Sequence, residues 1–197
     1  MTRLLLLLCL WGASLTQAAE GLEPLLDAGG LSIASSLHPD NGLVPGQLAR
    51  LDIEVATNTW FTGGTRIRIP EVPGLVILQT EQFAANTSER RNGQTWVVQR
   101  WTLEVYPQQA GTFTVPPIVL TIQVNGGDLG NLEGETTAPP LSFEVQVPPA
   151  LEQQEFWVAA PTFSVTQRLD RQTDDLKPGD AFERRIEFRG EDVLAMM

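Results

Sequence analysis

One cysteine, one histidine, one lysine and one tyrosine are all that the 197 residues contain of those four types. The cysteine, Cys9, lies in the first twenty residues. A chain that loses them keeps no thiol for a disulfide, a metal site or a covalent mechanism. The histidine, His38, stands in HPDNG before a proline and has no companion, which leaves a Ser/His/Asp or Cys/His nucleophilic set without its base. Structural zinc is excluded for want of Cys and His ligands. No apolar run reaches the roughly 18 to 20 residues that span a bilayer. The residues thus offer no catalytic set, no metal site and no cofactor site.

What is present begins with MTRLLLLLCLWGASLTQAAE. A basic Arg3, a short apolar run from Leu4 to about Trp11 and small residues at Thr16, Ala18 and Ala19 have the order of a secretory signal peptide. Cys9 follows Leu8, where a lipidated cysteine needs a small residue, so a lipoprotein signal does not fit. Without Arg3 the balance is 12 basic against 24 acidic residues, a formal charge of −12. Such a surface repels phosphate backbones and anionic headgroups, so neither nucleic acid nor a peripheral lipid surface is an expected partner.

Alternation of apolar and polar residues, the period of a half-buried strand, recurs after residue 30. In LARLDIEV the residues Leu51, Ile53 and Val55 oppose Arg50, Asp52 and Glu54. In RIRI, Ile67 and Ile69 oppose Arg66 and Arg68. QTWVVQRWTLEVY places Val97, Trp101, Leu103 and Val105 on one face, with Trp96, Val98, Arg100 and Glu104 on the other. LSFEVQV gives Leu141, Phe143, Val145 and Val147. About seven such strands between Leu31 and Val147, with no amphipathic helix, predict an all-β antiparallel sandwich of immunoglobulin-like or fibronectin-like type.

YPQQAGTFTVPP, from Tyr106 to Pro117, reads as a reversal. Gly111 supplies a positive φ, and Pro116-Pro117 interrupts the next strand, which confines it to a sheet edge or a switch between sheets and predicts an edge guarded against pairing. The Gly-rich acidic stretch from Asn125 to Ala138 reads as a mobile loop. Pro139-Pro140 and Pro148-Pro149 bracket the last strand. Beyond them the sequence starts again: residues 163–188 follow the plan of residues 31–55, Leu31 aligning with Phe163, Leu37 with Leu169 and Pro45-Gly46 with Pro178-Gly179. Only 41 residues run from Trp157 to Met197, against about 100 for such a domain. The expected organisation is a signal peptide (1–19), a sandwich domain (23–149), a linker (150–161) and the start of a second, incomplete sandwich repeat (162–197).

Asp170, Asp174 and Asp175 lack the spacing and glycine of an EF-hand loop and read as a solvated turn. Asn86-Thr87-Ser88 matches a glycosylation acceptor, a triplet common by chance. Trp101 falls on the apolar face and is expected in the core. Trp96 and Trp60 remain, either as partly covered surface aromatics or as anchors for a partner or a sugar. With Arg100, Arg66 and Arg68 they form the candidate interaction surface.

RWTLEVYPQQAGTFTVPPIVLTIQV, from Arg100, and LKPGDAFERRIEFRGEDVLAMM, from Leu176, resemble segments of the oxygen-tolerance (aerotolerance) family BatD. The shared features are a long strand, a Pro-containing turn, a Gly, a double proline and a later repeat opening with Pro-Gly-Asp. The resemblance implies an exported protein of several immunoglobulin-like repeats that faces the periplasm and is held to the inner membrane by a C-terminal helix, which this sequence lacks. It implies no enzymatic activity and no defined site residues. It also implies a stress-response or envelope-assembly role beside other envelope proteins, von Willebrand A-domain proteins and a MoxR-type ATPase among them. A non-enzymatic, membrane-associated scaffold working by protein–protein interaction is therefore the expected function, with a carbohydrate-binding sandwich as the alternative. Leader cleavage is expected after Ala18 or Ala19, so N-terminal sequencing of the exported protein should begin at Ala19 or Glu20.

Overall fold

The computed structural model describes residues 21–194; the cleavage positions Ala18 and Ala19 lie outside them. A short helix α1 (Glu23–Asp27) precedes the strands β1 (Leu31–His38), β2 (Ala49–Thr57), β3 (Arg66–Arg68), β4 (Leu75–Leu78), β5 (Ala85–Arg91) and β6 (Gln94–Pro107). There follow β7 (Gly111–Val115), β8 (Ile118–Asn125), β9 (Asn131–Ala138), β10 (Leu141–Val145), β11 (Phe163–Leu169) and β12 (Arg184–Gly190). Every named strand pair is antiparallel. The fold is an all-β sandwich.

One layer has the order β1-β2-β6, and the far edge of β6 is shared by β5 and β4. At 14 residues β6 is long enough to do this: Gln94–Arg100 pairs with β5, and Glu104–Pro107 with β4. The other layer is built from β3-β8-β9 and β7-β10. Between them the alternating residues of both inner faces meet: Leu51, Ile53 and Val55 of β2 and Trp101, Leu103 and Val105 of β6, against Val115, Leu120, Ile122, Val124, Phe143 and Val145. Nearly all are fully shielded from water, and with no thiol available in residues 21–194 this burial is the main source of stability.

The stretch YPQQAGTFTVPP carries the chain between layers. β6 ends at Pro107 in the first sheet and β7 starts at Gly111, φ 146°, in the second. The proline pair stands at a change of sheet: β7, before it, pairs with β10 alone and is an edge, whereas β8, after it, is flanked by β3 on one side and β9 on the other. Val115 faces Leu141, and Ile118 faces Ala138. Pro116-Pro117 and Pro139-Pro140 therefore fill the same gap in one continuous register. Proline donates no backbone hydrogen bond, so two staggered pairs would interrupt the ladder twice. Aligned, they interrupt it once and the pairing resumes in step.

The stretch read as a mobile loop is mostly strand. Asn131–Ala138 is β9, bonded along its length to β8, with Leu132 and Ala138 buried. Its inward positions are Leu132, Gly134, Thr136 and Ala138, which hides the period behind small and polar residues. Gly134 is small for a reason: a Cβ there would come within 3.0 Å of Leu22 Cγ, and Leu22 and Leu25 at α1 are packed into the core at this point.

β11 and β12 reproduce β1 and β2 residue by residue. Leu31↔Thr57 becomes Phe163↔Gly190, Ile33↔Val55 becomes Val165↔Phe188, and Leu37↔Leu51 becomes Leu169↔Arg184. The hydrogen bond from Asn58 N to Gly30 O, 3.1 Å, recurs as Glu191 N to Thr162 O, also 3.1 Å. In the turns, the side chains of Gln47 and Asp180 accept from the N–H of Val44 and Lys177 at 3.2 and 2.9 Å, and Gly46 and Gly179 both hold positive φ. The difference is in burial: both strands of the second hairpin are exposed throughout.

Leu120→Ala should lower the stability of the sandwich by about 3 kcal/mol through lost burial and the cavity left behind. Phe188→Ala should move the same transition by less than about 0.5 kcal/mol, being outside that core. Denaturant titration followed by tryptophan fluorescence reads both.

Candidate functional site

The candidate residues fall in three places. Trp96 and Arg100 lie on the outer face of β6, two alternations apart. Arg66 and Arg68 lie on the outer face of the opposite layer, where they pair across β8 with Glu133 and Glu135 of β9 at 3.4 and 3.7 Å. Trp60 follows β2 in a loop at one end of the sandwich. It is 57% exposed, and its carbonyl accepts from Asn125 N at 2.9 Å. The structure brings Trp96 and Arg100 onto one surface; it does not bring Arg66, Arg68 or Trp60 to them. Trp101 is in the core, as its position in the strand pattern predicts.

Around Arg100 the register assembles a closed set of charges. Glu54 of β2 stands directly opposite Arg100, and Glu89 of β5 directly opposite Trp96. Arg100 reaches Glu54 at 2.6 Å and Glu89 at 3.6 Å, while Arg91 reaches the same two carboxylates at 2.6 and 2.9 Å. The Arg91 guanidinium also lies over the Trp96 ring, 5.7 Å from its centroid. Two arginines and two glutamates thus alternate across three strands, with the indole against one edge. Val98, on the same outward face, is fully covered between Trp96 and Arg100.

Burial alone would raise the pKa of Glu54, but hydrogen bonds from Arg100 and Arg91 and the attraction of both cations hold it below the ordinary carboxylate value. The same hydrogen bonds to Glu54 raise the pKa of both guanidinium groups. Further along β6, burial and then the neighbouring Glu104 carboxylate push the Tyr106 hydroxyl up. None of these shifts brings a proton donor or acceptor toward neutral pH.

The sequence pattern singles out Trp96 and Arg100 but not Glu54, Glu89 and Arg91, which fix where Arg100 points. It also missed Gln99, a polar residue facing the core side of β6 and 5% exposed. Its Oε1 accepts from both the N and Oγ1 of Thr65 at 2.7 Å, and its Nε2 donates to Gly63 O at 3.3 Å. Gln99 and Trp101 floor a cleft of about 580 Å³ between Thr65–Ile67 and Gln82–Ala84. The Trp101 Nε1 has no hydrogen-bond acceptor. His38, placed in a turn by the sequence, is the last residue of β1. Among the described residues no three His, Cys, Asp or Glu side chains converge to hold a metal ion, and no helix is long and apolar enough to cross a membrane.

Glu54→Gln should cost about 1 kcal/mol at neutral pH, a value discounted for the partial exposure of its partners. Because the folded carboxyl ionises below 4.5, its contribution is complete above that pH and is lost as the pH falls through the folded value. The stability gap between wild type and variant should therefore narrow below about pH 4.5. Urea titrations from acid to neutral pH would measure it.

A family model described as the BatD DUF11 like domain matches residues 38–145, more than half of the 197-residue chain. It spans β2 to β10 and includes the charge set, the cleft and both facing proline pairs. No curated protein and no solved structure matches the chain. The chain belongs to the BatD family.

Proposed function

We propose that the sandwich is a non-enzymatic adaptor of the bacterial cell envelope, exported to the periplasm and associated with the inner membrane. Its role is to bind other envelope proteins, von Willebrand A-domain proteins first among them. With a MoxR-type ATPase these form the assembly through which the family's oxygen and stress tolerance is exercised. The match of residues 38–145 to the BatD domain carries this reading. The geometry of the β2-β6-β5 face supports it: a sheet surface with a half-buried Trp96 and arginines already held in place suits protein recognition, in which aromatic and arginine side chains dominate the energetics. Pre-ordered arginines lose little side-chain entropy on binding.

The partner side of the proposal can be tested by capture. Immobilised exported protein should retain a von Willebrand A-domain protein from solubilised envelopes, and Trp96→Ala with Arg100→Ala should weaken that capture by about tenfold or more. The circular dichroism of the double variant should match wild type, since neither side chain enters the core. Undiminished capture would move the docking surface elsewhere. No capture of such a protein by the wild type would end the adaptor reading.

A further inference from the structure

The ladder along the far edge of β6 is broken at one place. β4 ends at Leu78, opposite Glu104, and β5 begins at Ala85, opposite Arg100. The six residues 79–84 thus stand against only three of β6, Trp101, Thr102 and Leu103, and belong to neither strand. The cleft of about 580 Å³ floored by Gln99 and Trp101 opens beside them, a volume that ligand sites share. Its wall is braced from within, Gln79 Nε2 donating to Glu81 O at 2.9 Å and Asn86 Nδ2 to Ala84 O at 3.3 Å. Phe83, on the same wall, is 79% exposed.

Two groups at this cleft lack the partner that their position calls for. Trp101 is 4% exposed, yet its Nε1 has no acceptor, whereas a buried indole N–H ordinarily finds one. The other unpartnered side-chain atom among the described residues, Ser35 Oγ, stands on β1 with β2 in between. The second group is the main chain of Ile67. Thr65 N–H turns from β8 toward Gln99 Oε1, 2.7 Å away, and main-chain groups alternate in direction along a strand. Ile67 N–H and C=O therefore face the cleft side of β3, where no strand pairs with it.

We propose that this cleft takes an extended peptide segment of a partner protein, added as a strand to the free edge of β3 with a large apolar side chain set over Trp101. Ile67 supplies the main-chain donor and acceptor of such a strand, and the cleft supplies the pocket for one side chain, the two requirements of recognition by strand addition. A carbonyl of the segment accepts from Trp101 Nε1; because that atom is shielded from water, residues 79–84 draw back as the segment seats. The lining fits an uncharged, amide-bearing ligand. It holds four side-chain amides and no carboxylate, and its one charge, Arg66, is already paired with Glu133 at 3.4 Å. A sugar is the poorer fit, since the buried Trp101 offers no open ring for stacking. The inference does not rest on the adaptor reading, because Trp96 and Arg100 lie on the outer face of β6 and the cleft opens on its inner side.

Random peptides displayed on phage and selected on the immobilised exported protein should yield ligands that share a large apolar residue, with a Kd of about 10 to about 100 µM as free peptides. In nuclear magnetic resonance spectra of the nitrogen-labelled protein, a selected peptide should shift the Trp101 indole N–H signal, identified by its loss in Trp101→Phe. It should also slow hydrogen exchange at Ile67 N–H. Trp101→Phe should weaken the peptide about tenfold, the worth of one buried hydrogen bond, and Phe83→Ser several-fold. Glu144→Gln, on β10 and outside the cleft, should leave binding unchanged. Phe83 is too exposed for its replacement to unfold the domain, so that variant reads the cleft even where Trp101→Phe lowers stability. Failure to select any peptide, or peptides that bind without affecting Trp101 and Ile67, overturns the proposal. Neutral oligosaccharides that shift the Trp101 signal where peptides do not would overturn the choice of a peptide.

Discussion

The pairing of β2 with β6 is the contact on which the rest of the domain depends. Nine residue pairs, from Ala49↔Val105 to Thr57↔Val97, set one register for both faces at once. Inside, it places Leu51 beside Leu103 and Ile53 beside Trp101, the centre of the core. Outside, it sets Asp52 beside Thr102 and Glu54 beside Arg100. A slip of one residue would send Glu54 into the apolar layer and Ile53 into water, so the charge set and the core protect each other's alignment. The polar residues on the inner side of this pairing are matched rather than left unpaired: Gln99, opposite Val55, by Thr65 and Gly63, and Thr57 by the carbonyl of Gly30.

Much of this architecture could be read from residue order. β2, β6, β8 and β10 each bury one side and wet the other, and alternation is the direct image of that condition. β9 escaped because its inward side is built from Gly134 and Thr136 as much as from Leu132, a choice made by the close approach of Leu22. The facing of the two proline pairs escaped for a different reason. Whether a strand lies at an edge depends on which strands flank it, and Pro139-Pro140, the partners of Pro116-Pro117, lie more than twenty residues downstream.

The candidate surface shows the same boundary between local and non-local information. Period two states that Arg66, Arg68, Trp96 and Arg100 point outward, but it does not state which layer they leave. Two of them sit on each outer face. Nor does it reveal that each of the three arginines is already engaged with a glutamate, Arg66 and Arg68 with those of β9 and Arg100 with those of β2 and β5. The repeat of residues 31–55 in residues 163–188 was the opposite case. A Pro-Gly turn and a few aligned apolar positions proved enough to foreshadow a match that extends to individual backbone hydrogen bonds.

The facing prolines make the second layer two plates joined along a seam. β8 and β9 each run for eight residues between that seam and the turn at Gly126–Gly130. Equal length is a condition of the design, because the seam closes only if both strands reach it together. A residue gained or lost within β8 would leave one proline pair beside an ordinary strand residue and open the ladder in two places unless β9 changed by the same amount. The turn carries no such restriction, since length added there alters neither count. Within this fold, then, variation in length is free at the tip of the β8–β9 hairpin and coupled along its arms.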